Sequence, residues 1–249
     1  MISTSFCTDD ADTQVPAMYS RWEARHILTV LQPSFAASDG TAPVLDVCAG
    51  HGRLSLPLLE AGHLVDAIDI SQDALDRLRR KAADRGWSSR LSTFLVDVAN
   101  FARPDHYAFA YCAANSIRYL GSRSRVQRHL RLVHLSLRRG GAYLVHAGLS
   151  TRRGVANWTG TDGRRVHWAV EEVDALTSET VERVRVVGAG SSVVAEELQV
   201  QVLLQGADLA VMAEAAGFTI GAVWEEDFAR RPADELGSAT GNVWVLLRK

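Results

Sequence analysis

Lysine is almost missing from this chain. Of 27 basic residues only Lys81 and Lys249 are lysines, and 29 acidic residues bring the formal net charge to −2. Such a chain has no general basic field to draw in nucleic-acid phosphates. Cysteine is equally scarce. Cys7, Cys48 and Cys112 are scattered and form no CxxC pair, which speaks against a disulfide framework and against a zinc site. No apolar run approaches the roughly 18 residues a spanning helix needs, and Met1 to Asp10 lacks the basic start and apolar stretch of a secretory signal. The expectation is a cytoplasmic protein in a reducing compartment, with no membrane, metal or nucleic-acid partner. What the chain does contain is ordinary for a folded domain: 249 residues, 47% hydrophobic and 22% charged. That excludes a disordered chain and suffices for one sizeable core.

The first two-thirds alternate short apolar strands with amphipathic helices. Tyr19 to Leu31 has helical spacing. Pro43 to Val47 is a strand running into Ala49-Gly50-His51-Gly52, followed by a helix from Leu54 to Glu60 that stops at Gly62. Leu64 to Ile70 is a second strand, and Ser71 caps a charged helix over Gln72 to Ala83, with Leu75 and Leu78 inward. Leu91 to Val96 and Ala108 to Ala113 are the third and fourth strands. A helix over Val126 to Arg138 is broken by Gly140-Gly141 before a fifth strand, Ala142 to Ala147. This rhythm predicts an α/β fold with a mostly parallel sheet and helices on both faces. Residues 151–205 then change character. Arg164 to Glu172, Thr180 to Val187 and Val194 to Leu204 alternate apolar and polar side chains, which predicts a three-stranded antiparallel insertion. A helix, Ala207 to Ala216, and two closing strands complete a single domain over 1–249.

The most informative stretch is Val44-Leu45-Asp46-Val47-Cys48-Ala49-Gly50-His51-Gly52-Arg53. Glycines after a first strand let a ligand approach the backbone at a helix N-terminus. Asp69 lies 17 residues beyond Gly52, where a carboxylate can accept from both ribose hydroxyls, and Asp97 ends the third strand on the same sheet edge. A dinucleotide fits poorly: the third glycine of GxGxxG would fall at Ser55, and Asp46 would sit badly near a pyrophosphate. A nucleoside with a positive sulfonium and an amino-acid tail fits better.

The ordered set of segments VLDVCAGHGR, AIDIS (Ala67 to Ser71), FLVDVANF (Phe94 to Phe101), YCAANSIRYL (Tyr111 to Leu120) and LRRGGAYLVH (Leu137 to His146) resembles the class I S-adenosyl-L-methionine-dependent methyltransferases. With the tail from Ala216-Gly217-Phe218 the resemblance runs from Arg21 to Lys249. It implies a Rossmann-like sheet whose last strand is antiparallel, and it implies site roles. Asp46 and the Gly50–Gly52 turn would hold the methionyl part, with Cys48 and Ala49 contacting it through backbone atoms. Asp69 would bind the ribose, Ile70 would lie against the adenine, Asp97 would accept from its exocyclic amine, and Val98 would offer a backbone N–H. Asn115 would face the methyl donor. The product is S-adenosyl-L-homocysteine.

The insertion after the fifth strand resembles the lid of glycine N-methyltransferases and of the N-methyltransferases of antibiotic amino sugars. Arg21 matches the arginine that pairs with the cofactor carboxylate. Gly148 stands where the glycine enzyme has an arginine for its substrate's carboxylate, which points to a larger neutral or cationic acceptor. Tyr19, Trp22, Trp158, His167 and Trp168 are the candidate walls of a dry acceptor pocket, with plain packing as the alternative for Tyr19, Trp22 and Trp168. His146 is the candidate base, with packing as the alternative; Asn115 and Tyr19 complete the catalytic candidates. His51 is expected to be exposed, and His129 and His134 to lie on a solvated helix face. The favoured reading is N-methylation of a small bacterial natural-product intermediate, with O-methylation or a non-catalytic cofactor-binding regulator as alternatives and with association of copies through the lid.

Overall fold

A computed structural model describes residues 17–36, 42–149, 154–159, 164–174, 176–188 and 192–249; for 17–20 only the backbone is described. Helix α1 (Ala17–Ala36) precedes strand β1 (Val44–Val47), helix α2 (Ser55–Glu60), β2 (Val65–Asp69), α3 (Gln72–Ala83), β3 (Leu91–Leu95), β4 (Tyr107–Cys112), α4 (Arg123–Ser136) and β5 (Leu137–Leu149). Four strands follow, β6 (Val155–Thr159), β7 (Arg165–Asp174), β8 (Glu179–Val187) and β9 (Val193–Val202). The chain closes with α5 (Gly206–Ala215), β10 (Thr219–Glu225), β11 (Arg230–Arg231) and β12 (Gly241–Arg248).

The main sheet has eight strands in the order β11-β10-β12-β5-β4-β1-β2-β3. Strands β1 to β5 pair in parallel, and β12 inserts antiparallel between β5 and β10. The order reverses between β1 and β4, and open α/β sheets bind ligands outside the carboxyl ends of strands at such a reversal. Each face of the sheet is apolar because each carries helices. Leu45, Val47, Tyr143 and Val145 pack with α4 and α5; Val44, Phe109, Leu144 and Trp244 pack with Ile27 and Leu31 of α1 and Leu58 of α2. None of the helices described is long and apolar enough to cross a membrane.

Three expectations need correction. The helix before β5 starts earlier, at Arg123, because the Ser122 side chain caps it by accepting from Arg125 N–H at 3.3 Å. Gly140-Gly141 does not break a helix but lies inside β5, where the pairing with β4 jumps from Tyr107–Leu137 to Phe109–Ala142. That bulge needs glycine: Gly140 has φ +77°, and a Cβ on Gly141 would sit 2.9 Å from Arg138 O and 3.0 Å from Ala108 O. The insertion has four strands rather than three, in the order β6-β7-β8-β9, since the short segment Val155–Thr159 pairs along β7.

A buried ion pair fastens this second sheet to the first. Arg118, in the 3-10 turn Ser116–Leu120, donates to Glu182 Oε1 at 2.6 Å, Thr180 Oγ1 at 3.1 Å and Val202 O at 3.2 Å. Trp168 Nε1–H donates to the other oxygen, Glu182 Oε2, at 2.7 Å. Both charged side chains are buried, so removing one partner strands the other in a place water cannot reach. Arg118→Leu is expected to cost about 3–5 kcal/mol of unfolding free energy. The double variant Arg118→Leu/Glu182→Leu should recover most of that in urea melts, and equal losses in the two would contradict this account of the fastening.

Candidate active site

The turn after β1 is built on left-handed backbone. Cys48, Gly50 and Gly52 have φ of +59°, +54° and +86°. The two glycines do different work. A Cβ on Gly52 would lie 2.2 Å from the Leu78 methyl of α3, whereas one on Gly50 would meet nothing within 4 Å. Gly52 lets α3 close under the turn, and Gly50 leaves open space above it. The turn is held by Asp69, whose Oδ2 accepts from Gly50 N–H at 2.8 Å while Oδ1 accepts from Ser71 N–H at 2.9 Å. A carboxylate has about four lone-pair sites, so Asp69 keeps capacity for two hydroxyls. Ile70, the next residue, is 58% exposed and presents an apolar face beside it.

Asp46 lies beneath the turn, buried, accepting from Ser55 Oγ at 2.5 Å with the Tyr111 phenol beside it. Burial pushes its carboxyl up to about 7, against the hydrogen bonds that favour the charge. Asp97 follows β3 and accepts from Ala99 N–H at 2.9 Å, capping the 3-10 turn Val98–Asn100, and pairs with Arg125. Partial burial raises its carboxyl, but these hydrogen bonds outweigh that and hold it below the usual carboxylate range. Val98 is buried, and its carbonyl lies 3.1 Å from His129 Nδ1.

Asn115 leaves β4 in a left-handed conformation (φ +58°), which asparagine tolerates better than most residues. Its N–H donates to His146 Nδ1 at 3.3 Å, and its Nδ2 donates to Asn242 Oδ1 at 3.1 Å. His146 stacks against Trp244 with ring centres 4.6 Å apart. Burial, helped by the Arg53 guanidinium, lowers its pKa to about 4. Arg53 itself pairs with the buried Glu23 of α1. His146 Nε2 and Asn115 Oδ1 are buried without a hydrogen-bond partner among the described residues.

The remaining candidates separate. Arg21 and Trp22 are exposed on α1, with Trp22 4.3 Å from Phe228 between ring centres. The Tyr19 side chain lies outside the described residues. Trp158 and Trp168 pack on Val166, Val184 and Val186 in a small core of the second sheet. His167 lies on that sheet's other face, hydrogen-bonded to Asn157, beside an open groove of about 490 Å³ lined in part by Arg183 and Arg185. Strand alternation turns Trp168 toward the small core and His167 away from it, although Trp168 also lines the groove beside His167. The exposure expected for three histidines is also corrected. His51 is buried with Nδ1 3.4 Å from Lys81 Nζ, because α3 packs against the turn. His129 is fully buried and bridges Val98 O to the Tyr143 hydroxyl at 2.8 Å. His134 is half-buried against Phe218. Sequence reading missed the group around His146: Arg53 with Glu23, Trp244, Asn242 and Glu226. Only Arg53 carried a local signal, being next to Gly52; Glu23 comes from α1, and Glu226, Asn242 and Trp244 arrive from the far end of the chain.

Residues 44–141 match the family described as methyltransferase domain. Among solved structures, the CcbJ methyltransferase from Streptomyces caelestis superposes with TM-score 0.71 at 22% identity over 86% of each chain. An amino pentose methyltransferase from Micromonospora echinaspora, solved with SAM bound and involved in calicheamicin biosynthesis, superposes with TM-score 0.63 at 16% identity over 94% of this chain and 98% of that one. Among curated proteins, an uncharacterized RNA methyltransferase of Parasynechococcus marenigrum is 29% identical over 92 residues, 37% of this chain and 19% of that protein. An uncharacterized protein of Mycobacterium tuberculosis is 36% identical over 66 residues, 25% of this chain and 24% of that protein. The chain therefore spans about a fifth to a quarter of the length of these curated relatives. The fold is that of S-adenosyl-L-methionine-dependent methyltransferases, and within it residues 44–141 match a methyltransferase domain.

The residues fit that cofactor. Gly50 leaves the cradle open, Asp69 retains acceptor capacity, and Asp46 is a buried carboxylate that an ammonium would ionise. The Asp46 assignment predicts pH-dependent binding. A carboxyl at about 7 in the free protein must lose its proton to pair with the ammonium, so affinity for S-adenosyl-L-homocysteine should weaken as pH falls below 7, by up to roughly tenfold per unit. Calorimetric titration from pH 5.5 to 8 should show this in the parent and a flat, weaker profile in Asp46→Asn. A parent profile without slope would remove Asp46 from the ammonium site.

Proposed function

We propose that this chain methylates an uncharged amine nitrogen of a small metabolite, using S-adenosyl-L-methionine, in a bacterial natural-product pathway and in the cytoplasm. The observation that carries the reading is the hydrogen bond that the backbone gives to buried His146. Its Nδ1 accepts from Asn115 N–H, so in the neutral ring the proton sits on Nε2. Burial holds the ring neutral down to about pH 4. A histidine fixed this way offers a donor to the site and has no lone pair left there with which to take a proton. Glu23 is engaged by Arg53, and Asp46 by Ser55. An alcohol must lose a proton during transfer, whereas an amine needs only to arrive neutral.

When bound, the cofactor supplies an electrophilic methyl carbon, so that the nitrogen lone pair forms the N–C bond as the C–S pair returns to sulfur. The chain's own work is alignment and exclusion of water. Asn115 and His146 fix one wall, Trp244 backs it, and Arg118 ties the second sheet to the turn that begins at Asn115. Two of the solved neighbours, a glycopeptide N-methyltransferase and the amino pentose methyltransferase, support the choice of an amine.

The test is transfer of a radiolabelled methyl group to a panel of amino sugars and amino-acid amides across pH. The rate should rise to a plateau at the pKa of each acceptor's own ammonium, moving with the acceptor, and His146→Asn should keep the same inflection at a lower rate. An inflection fixed across acceptors and lost in His146→Asn would make His146 a base. Label found only on oxygen would overturn the reading outright.

A further inference from the structure

The orientation of Asn115 is set from the surface. Asn242 Nδ2 donates to Glu226 Oε1 at 3.0 Å, and Asn242 Oδ1 accepts from Asn115 Nδ2 at 3.1 Å. A carboxylate only accepts, so Glu226 faces the NH2 end of Asn242. Asn242 must then turn its oxygen to Asn115, and Asn115 must turn its NH2 to Asn242. The one amide atom left over is Asn115 Oδ1, buried and without a partner among the described residues. Gly148 makes the room for this chain of amides. A Cβ there would lie 3.0 Å from Asn242 Oδ1 and 3.3 Å from both amide atoms of Asn115, tighter than a side chain tolerates without displacing them.

We infer that Glu226 is a positioning residue that acts through Asn242 to present Asn115 Oδ1, an acceptor, to the N–H of a primary or secondary amine. The inference rests on the amine reading above and narrows it. An amine that donates its N–H to Asn115 Oδ1 has its lone pair directed away from that oxygen, free for the methyl carbon. The product ammonium sheds its proton to solvent after release. A tertiary amine has no N–H to give and is not an acceptor here. Asn115 then serves twice: its backbone N–H fixes His146 as a donor, and its side chain, fixed by Glu226, is an acceptor.

Replacing the carboxylate by a donor inverts the relay. In Glu226→Lys the ammonium faces the oxygen of Asn242, whose NH2 turns to Asn115, and Asn115 turns its own NH2 into the site. Two readouts follow. The first needs no acceptor substrate. The side-chain amide protons of Asn115, assigned by the cross-peak lost in Asn115→Asp, should exchange slowly with D2O in the ligand-free parent and in Glu226→Asp, and at least about tenfold faster in Glu226→Lys. The second uses whichever amine the parent methylates. KM for that amine should rise at least about tenfold in Glu226→Lys and only a few-fold in Glu226→Gln, while the dissociation constant of S-adenosyl-L-homocysteine changes less than twofold in both. Unchanged amide exchange in Glu226→Lys would overturn the relay. Turnover of a tertiary amine at the rate of its secondary counterpart would overturn the role of Asn115 Oδ1. If no amine is methylated by the parent, the amine reading fails by itself, and the exchange measurement still decides whether Glu226 sets the amide orientation.

Discussion

The carboxylate of Asp69 joins the two turns on which the site depends. It ends β2, yet it accepts from Gly50 N–H on the turn after β1 and from Ser71 N–H at the start of α3. Hydrogen bonds to a charged acceptor are worth roughly 1.5–3 kcal/mol each, and these two tie together the carboxyl ends of the neighbouring strands β1 and β2, beside the point where the strand order reverses. With the turn pinned, Gly52 can sit against Leu78 and Gly50 can stay open. The same pinning keeps Asp46 beneath the turn, away from water, where its carboxyl rises and becomes responsive to an incoming ammonium. One hydrogen-bonded carboxylate thus sets both the shape of the cradle and the electrostatics below it.

A second fixed point lies at Asn115. The left-handed backbone there sends the chain from β4 into the short turn that carries Arg118, and Arg118 holds the second sheet through Glu182. Asn115 and the group that fastens the insertion, Arg118, are therefore only three positions apart. Buried ion pairs contribute little net stability but punish misplacement. Here that property keeps the insertion in one position relative to Asn115 and His146. The buried histidines carry the same logic. His129 and His146 are held neutral by burial, to about pH 4, so each presents a fixed pattern of donor and acceptor rather than a titrating charge.

Much of the fold was legible along the chain because its signals are local. Short apolar strands, capping serines and glycine-bearing turns are read within ten residues of one another, and Asp46, Asp69 and Asp97 fall where strands end. The errors arose where a local sign has two physical uses. Gly140-Gly141 reads as a break but serves as a bulge, because the partner strand that needs the close approach is 30 residues away in sequence. His129 reads as surface among arginines, yet the groups that satisfy it, Val98 O and the Tyr143 hydroxyl, come from other elements. The aromatic and histidine side chains offered as pocket walls divided by strand parity: Trp158 and Trp168 turn inward and His167 outward. Glu226 and Asn242 had no signal at all, since their meaning comes only from contact with Asn115, 127 positions from Asn242.

The central claim is that the site offers a donor at His146 and needs no base. Nitrogen-15 NMR of the His146 ring measures this directly in the ligand-free protein. The account predicts a neutral ring protonated on Nε2 from pH 8 down to pH 5, with Nδ1 shifted as a hydrogen-bond acceptor. A ring protonated on Nδ1, or one titrating near the ordinary histidine value of about 6.5, would contradict it.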